Sequence, residues 1–185
     1  MERKVVVGVA GMPGAGKSLV VETALELGFK VVVMGDEIRE ETKRRGLALT
    51  PTNVGKVMLK LRKEEGAAVV AKRCIPKIIG AKEKFVIVDG LRSLDEVNEF
   101  KKHFPKFAIL AVHASPETRF QRLYSRKRSD DPKGWETFRE RDLRELNVGL
   151  GNVIAVADYM IINEASKEEA EKKIREILEK VMENE

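Results

Sequence analysis

The sequence predicts an α/β fold: a three-layer arrangement with a five-stranded, mainly parallel sheet and helices on both faces. Two observations predict it. Short β-branched runs recur along the chain, too continuously apolar for strands with one wet face. Between them lie amphipathic stretches with well-marked helix starts.

The elements follow in order. Val5 to Ala10 reads as the first strand, and Leu19 to Leu27 as a helix stopped by Gly28. Phe29 to Met34, Phe85 to Val88, Phe107 to Val112 and Tyr159 to Ile162 read as strands two to five. Thr50-Pro51 and Ser115-Pro116 each pair a capping hydroxyl with a proline suited to the first helical position. Ser93 with Glu96, and Ser166 with Glu169, have capping-box spacing. Two connections are long, Gly35 to Lys84 and Pro116 to Asp158. Insertions at the carboxyl ends of parallel strands are where substrate-binding parts belong.

At 185 residues the chain reads as a single domain, 1–185, with no repeat or linker. Its net charge of +5 suits anionic ligands. Charges of both signs are interspersed and aromatics are few, which argues against a dedicated nucleic-acid surface. Cys74 stands alone, excluding an intrachain disulfide or a cysteine-built zinc site. The valines after Met1-Glu2-Arg3-Lys4 imitate a signal peptide but run into a glycine-rich loop, so they read as a core strand. No apolar stretch is long enough for a membrane span, and the reading is a cytoplasmic protein.

That loop is Gly11-Met12-Pro13-Gly14-Ala15-Gly16-Lys17-Ser18, a complete P-loop. Its glycines let successive backbone N–H groups turn inward toward phosphate oxygens. Lys17 supplies a positive charge for the β- and γ-phosphates, and Ser18 a hydroxyl for Mg²⁺. The following helix aims its positive end at the same anion. Strand, loop and helix together specify a three-layer P-loop NTPase fold that binds a nucleoside triphosphate. A dinucleotide-binding reading fails, because its third glycine would fall on Leu19.

Other residues are candidates around this donor site. Asp89 ends the third apolar strand and reads as a Walker B carboxylate near Mg²⁺ through water; the alternative is a plain Asp-Gly turn. Gly90 follows where many hydrolases carry a Glu, which favours transfer to an acceptor over hydrolysis. Arg92 suits phosphate recognition, or else pairs with Asp95 or Glu96. Asp36 and Arg39 share a helical face after the second strand. They read as orienting an acceptor hydroxyl and holding its phosphate, with Asp36 alternatively the helix cap. Arg119, Arg122, Arg126, Lys127 and Arg128 form a basic cluster before a polar break, and Phe138 to Leu146 resumes a basic helix. This reads as a lid over about 126–136 whose Arg126 and Arg128 neutralise charge on the moving phosphoryl group. The alternative is a solvated helix pair, with Arg144 and Arg141 bound to Glu140 and Glu145. The loop Asn163-Glu164-Ala165 lies where it would meet the nucleotide base.

Together these residues resemble the nucleoside-monophosphate-kinase group of P-loop proteins, most of all dephospho-CoA kinase and its kinase-like archaeal relatives. Gly11 to Ser18 is similar to the donor loop. Gly35-Asp36 with Arg39 resembles the acceptor-side element. Asp89-Gly90-Leu91-Arg92 resembles the Asp-Gly-x-Pro-Arg element of adenylate kinases, shortened by one residue and without its proline. Arg122-Leu123 to Arg128, with Ala157 to Asn163, resembles the end of dephospho-CoA kinase. The resemblance implies ATP and Mg²⁺, a helical acceptor-binding insertion over about 35–83, a short lid, and γ-phosphoryl transfer to a nucleoside monophosphate or a dephospho-CoA-like hydroxyl. Two other readings stay open: a polynucleotide end kinase or nucleic-acid-linked ATPase, and a nucleotide-dependent switch with little turnover.

Overall fold

The β-branched runs pair into one sheet. The structure, a computed structural model, describes residues 3–126 and 131–184. Strands β1 (Val5–Ala10), β2 (Lys30–Val33), β3 (Phe85–Asp89), β4 (Lys106–His113) and β5 (Tyr159–Ile162) lie in the order β2-β3-β1-β4-β5. All four pairings are parallel. The sheet is therefore wholly rather than mainly parallel.

Strand alternation divides the core in two. Val5, Val7, Val9, Ile87, Leu110 and Ile161 face one layer with α1 (Lys17–Glu26) and α9 (Lys167–Glu183). Val6, Ala10, Val86, Val88 and Ile109 face the other. There α4 (Val69–Ile79), α5 (Leu94–His103) and α8 (Leu150–Ala155) cover them. Each buried valine or isoleucine contributes about 1.5–3 kcal/mol, so the central strand is the most strongly held. That strand delivers the phosphate loop.

Helix α2 (Met34–Arg44) follows β2 without a connecting loop. Met34 is thus its first residue, not the end of a strand. Val33 occupies the cap position, so Asp36 lies inside the first turn and is not the cap. Phe29 leaves the ladder and packs its ring 5.4 Å from that of Phe85. Helices α2, α3 (Pro51–Glu65) and α4 fill the segment between β2 and β3. Glu41 ties this group together. Its buried carboxylate accepts from Arg44 and Arg45, and from Arg73 of α4 at 2.9 Å. The three hydrogen-bonded arginines pull its pKa down to about 2.

The expected caps form. Thr50, Ser93 and Ser166 each accept from a backbone N–H three residues on, those of Asn53, Glu96 and Glu169. After β4, α6 (Pro116–Arg126) carries Arg119, Arg122 and Arg126 of the basic cluster, and α7 (Trp135–Val148) begins three residues before Phe138. Lys127, Arg128, Ser129 and Asp130, which belong to the expected lid, lie outside the described residues.

Candidate functional site

The phosphate loop is shaped by what crowds it. Gly14 has φ +82°, and a Cβ there would stand 2.7 Å from the Arg119 carbonyl of α6. Gly16 has φ +102°, and its Cβ would meet the Asn163 side chain at 2.2 Å. Both backbone conformations favour glycine, and both neighbours leave no room for a side chain. Asn163, directly after β5, is buried and donates its amide to the Ala15 carbonyl. Arg122 donates to the Asn163 carbonyl at 2.9 Å. Glu164, next in line, accepts from the Ser115 N–H and the Thr118 hydroxyl at the start of α6. Expected to meet the base, this loop is seen bracing the phosphate loop and α6.

Lys17 begins α1 and folds back, donating its Nζ to the Gly11 carbonyl at 2.6 Å. Burial pushes its ammonium below the ordinary lysine value, partly offset by the Asp89 carboxylate. Burial likewise raises Asp89, against the attraction of Lys17, Arg92 and Arg39. One Asp89 oxygen, Oδ1, is buried and has no hydrogen-bond partner among the described residues. An unsatisfied hard anionic oxygen beside the phosphate loop fits a divalent cation, or its water, shared with a triphosphate. Ser18, the second residue of α1, is exposed on the same loop.

Arg92 leaves the turn after β3 toward Lys17. Its guanidinium touches Met58 Sδ at 2.8 Å and lies 3.5 Å from Glu145 of α7. It reaches neither Asp95 nor Glu96; the Glu96 carboxylate instead accepts from the Arg92 backbone N–H at 2.8 Å. Asp36 and Arg39 pair with each other at 2.5 Å, both about half exposed. Their charges act on Asp89, but neither lines the cleft against the phosphate loop, and Asp36 lies on a separate groove with Val33 and Lys77.

A cleft of about 170 Å³ lies between these groups, lined by Gly11, Gly14, Lys17, Arg92, Arg126 and Glu145, among others. Arg126 reaches it while paired with Asp131 at 2.5 Å. Arg119, expected in the basic lid face, does not reach it. Its guanidinium is buried, bonded to the Pro13 and Ala114 carbonyls and to Asp142 of α7, and stacked 4.9 Å from Phe138. Three- and four-residue spacing placed it on one helical face with Arg122 and Arg126 but could not show that α7 covers that position. The sequence offers Glu145 only as an i,i+4 partner of Arg141, and Asn163 only as a contact to the nucleotide base.

A five-stranded parallel sheet with a phosphate loop after its central strand defines this as a P-loop protein of the kinase-like α/β type. The chain belongs to the AAA domain family, whose model matches residues 10–139, and to the UPF0200 proteins. The UPF0200 protein of Thermococcus onnurineus (strain NA1) is 51% identical over 178 residues, covering 94% of this chain and 96% of that relative. Among solved structures, a shikimate kinase from Acinetobacter baumannii in complex with shikimate superposes with a TM-score of 0.61 at 17% identity, over 100% of this chain and 96% of that one. A gluconokinase from Sinorhizobium meliloti 1021 gives 0.58 at 17% identity, over 99% and 95%. At such identities the likeness is one of fold. No helix among the described residues is long and apolar enough to cross a membrane.

Proposed function

We propose that this protein transfers the γ-phosphoryl group of ATP·Mg to a small, nucleotide-type acceptor. The observation that carries the reading is the convergence of Lys17, Arg92 and Arg126 on one cleft against the phosphate loop, with the orphaned Asp89 oxygen beside it. Cations on several sides of one small space suit a phosphoryl group whose charge spreads in the transition state. The kinase names of the structural relatives support transfer over a purely regulatory role.

In this reading Gly11 to Ser18 cradle the triphosphate, and Lys17 exchanges the Gly11 carbonyl for phosphate oxygens. Asp89 and Ser18 would hold Mg²⁺, Asp89 through water, and the ion would neutralise phosphate charge. Asp36, Arg39 and Arg92 face the acceptor, either a nucleoside monophosphate or a dephospho-CoA-like hydroxyl. Residues 35–83 are the acceptor-binding insertion, and about 126–136 the lid carrying Arg126 and Arg128. The protein acts as a single domain in the cytoplasm.

The test is a γ-labelled ATP transfer screen over nucleoside monophosphates, nucleosides and dephospho-CoA. Label should reach one of these, and Lys17→Ala should abolish transfer while the unfolding transition stays cooperative. Undiminished transfer by Lys17→Ala would mean that the donor site lies elsewhere.

A further inference from the structure

Glu145 is out of place in a cleft built for phosphate. It projects from α7 among Lys17, Arg92, Arg126 and Arg141, and its side chain is 12% exposed. Its Oε2 is buried and makes no hydrogen bond among the described residues. Arg92 Nε stands 3.5 Å away, close enough for attraction but outside hydrogen-bonding geometry. The charge also acts on Lys17. A buried carboxylate oxygen without a donor is costly, and beside an incoming triphosphate it also repels. A donor brought by a ligand would remove the first cost and offset the second.

The two acceptor chemistries differ in this respect. An acceptor phosphate carries no proton to lose and presents another negative charge to Glu145. A neutral hydroxyl carries one proton, which must leave as its oxygen attacks. Asp36 is poorly placed to take it, because it is half exposed, is held through Oδ1 by Arg39, and lines a separate groove rather than the cleft against the phosphate loop.

We propose that Glu145 accepts this proton and thereby restricts the enzyme to hydroxyl acceptors, excluding nucleoside monophosphates. The inference rests on the phosphotransferase reading above. A lone pair of the acceptor oxygen forms the bond to the γ-phosphorus. The bond from that phosphorus to the bridging oxygen breaks, and its electrons leave with ADP. The hydroxyl proton passes to Glu145 Oε2 and from there to solvent. The products are a phosphate monoester, ADP and one proton.

Water is the smallest acceptor of this class, so slow ATP hydrolysis serves as a probe beside adenosine and dephospho-CoA. Glu145→Gln preserves shape and removes the base. It should lower kcat for hydrolysis, and for any hydroxyl acceptor found, by roughly 10²-fold. Calorimetric affinity for ATP·Mg should be no weaker than in the wild type, and Glu145→Asp should recover part of kcat. Wild-type protein loaded with a non-hydrolysable ATP analogue and Mg²⁺ should not bind AMP saturably, whereas Glu145→Gln should. Unchanged kcat in Glu145→Gln, or tight AMP binding and phosphorylation by the wild type, would overturn the role of Glu145 and leave the phosphotransferase reading standing. ATP binding with neither hydrolysis nor transfer to any acceptor would overturn that reading itself, and this inference with it.

Discussion

The Asn163 side-chain amide donates to the Ala15 carbonyl at 2.9 Å, so the residue that follows β5 holds the middle of the phosphate loop. Its backbone N–H donates to the His113 carbonyl at 2.7 Å, continuing the β4–β5 ladder by one residue. Asn163 is thus fixed by the sheet at one end and fixes the loop at the other. The same amide fills the space a side chain on Gly16 would need.

Asn163→Ala should therefore loosen the loop as well as the fold. Losing this buried donor should cost about 1–2 kcal/mol of stability. ATP affinity should fall roughly tenfold, because the loop must then be ordered by the ligand. Asn163→Asp should bind ATP less well still, since it sets a carboxylate against the Ala15 carbonyl and the triphosphate. Urea unfolding and calorimetric titration measure the two effects separately. An unchanged ATP affinity beside the loss of stability would show that Asn163 merely packs.

The strands and the phosphate loop were legible in the sequence because their signals are local. Val5 to Ala10 and Tyr159 to Ile162 emerge as strands with the expected bounds. Boundaries blurred where one residue type serves two elements. Met34 is apolar enough for a strand, yet it opens α2 and buries its side chain in the layer that also holds Ile38. The site was legible where a motif fixes spacing, as at Lys17. It was not where partners arrive from distant segments. Asn163 and Ala15 are 148 residues apart, and Arg119 and Asp142 are 23 apart. Nothing in the local pattern around Glu145 shows that α7 turns it toward Lys17 rather than toward solvent.

Glu41 makes stability depend on acid in a defined direction. Its folded pKa of about 2 lies below the ordinary 4.5. Its contribution is therefore fully present above pH 4.5 and is lost as the pH falls toward 2. The shift corresponds to about 3 kcal/mol. Glu41→Gln should lower the urea midpoint at pH 7, and the gap from wild type should shrink steadily between pH 4.5 and 2. A gap that stays constant over that range would remove the charge from the account and leave only the packing of α2 on α4.

Arg119 and Asp142 decide whether the start of α6 is part of a moving lid. The Arg119 guanidinium is 4% exposed, and Asp142 is 15% exposed. Both side chains meet in a two-point pairing, while the Arg119 Nε and Nη1 also serve the Ala114 and Pro13 carbonyls. Such a group joins the phosphate loop to α7 and cannot swing toward a triphosphate without abandoning several buried bonds. Asp142→Ala strands a buried charge and should cost about 3–5 kcal/mol. Replacing both partners, Arg119→Met with Asp142→Leu, should recover most of that, because apolar side chains leave no charge behind. If Arg119 instead turned to the nucleotide, ATP·Mg would supply a new partner and the deficit of Asp142→Ala would disappear at saturating ligand. We expect the deficit to persist in urea titrations with and without ATP·Mg. Motion over the triphosphate would then begin beyond Arg119, toward Arg126, whose side chain is more exposed than that of Arg119.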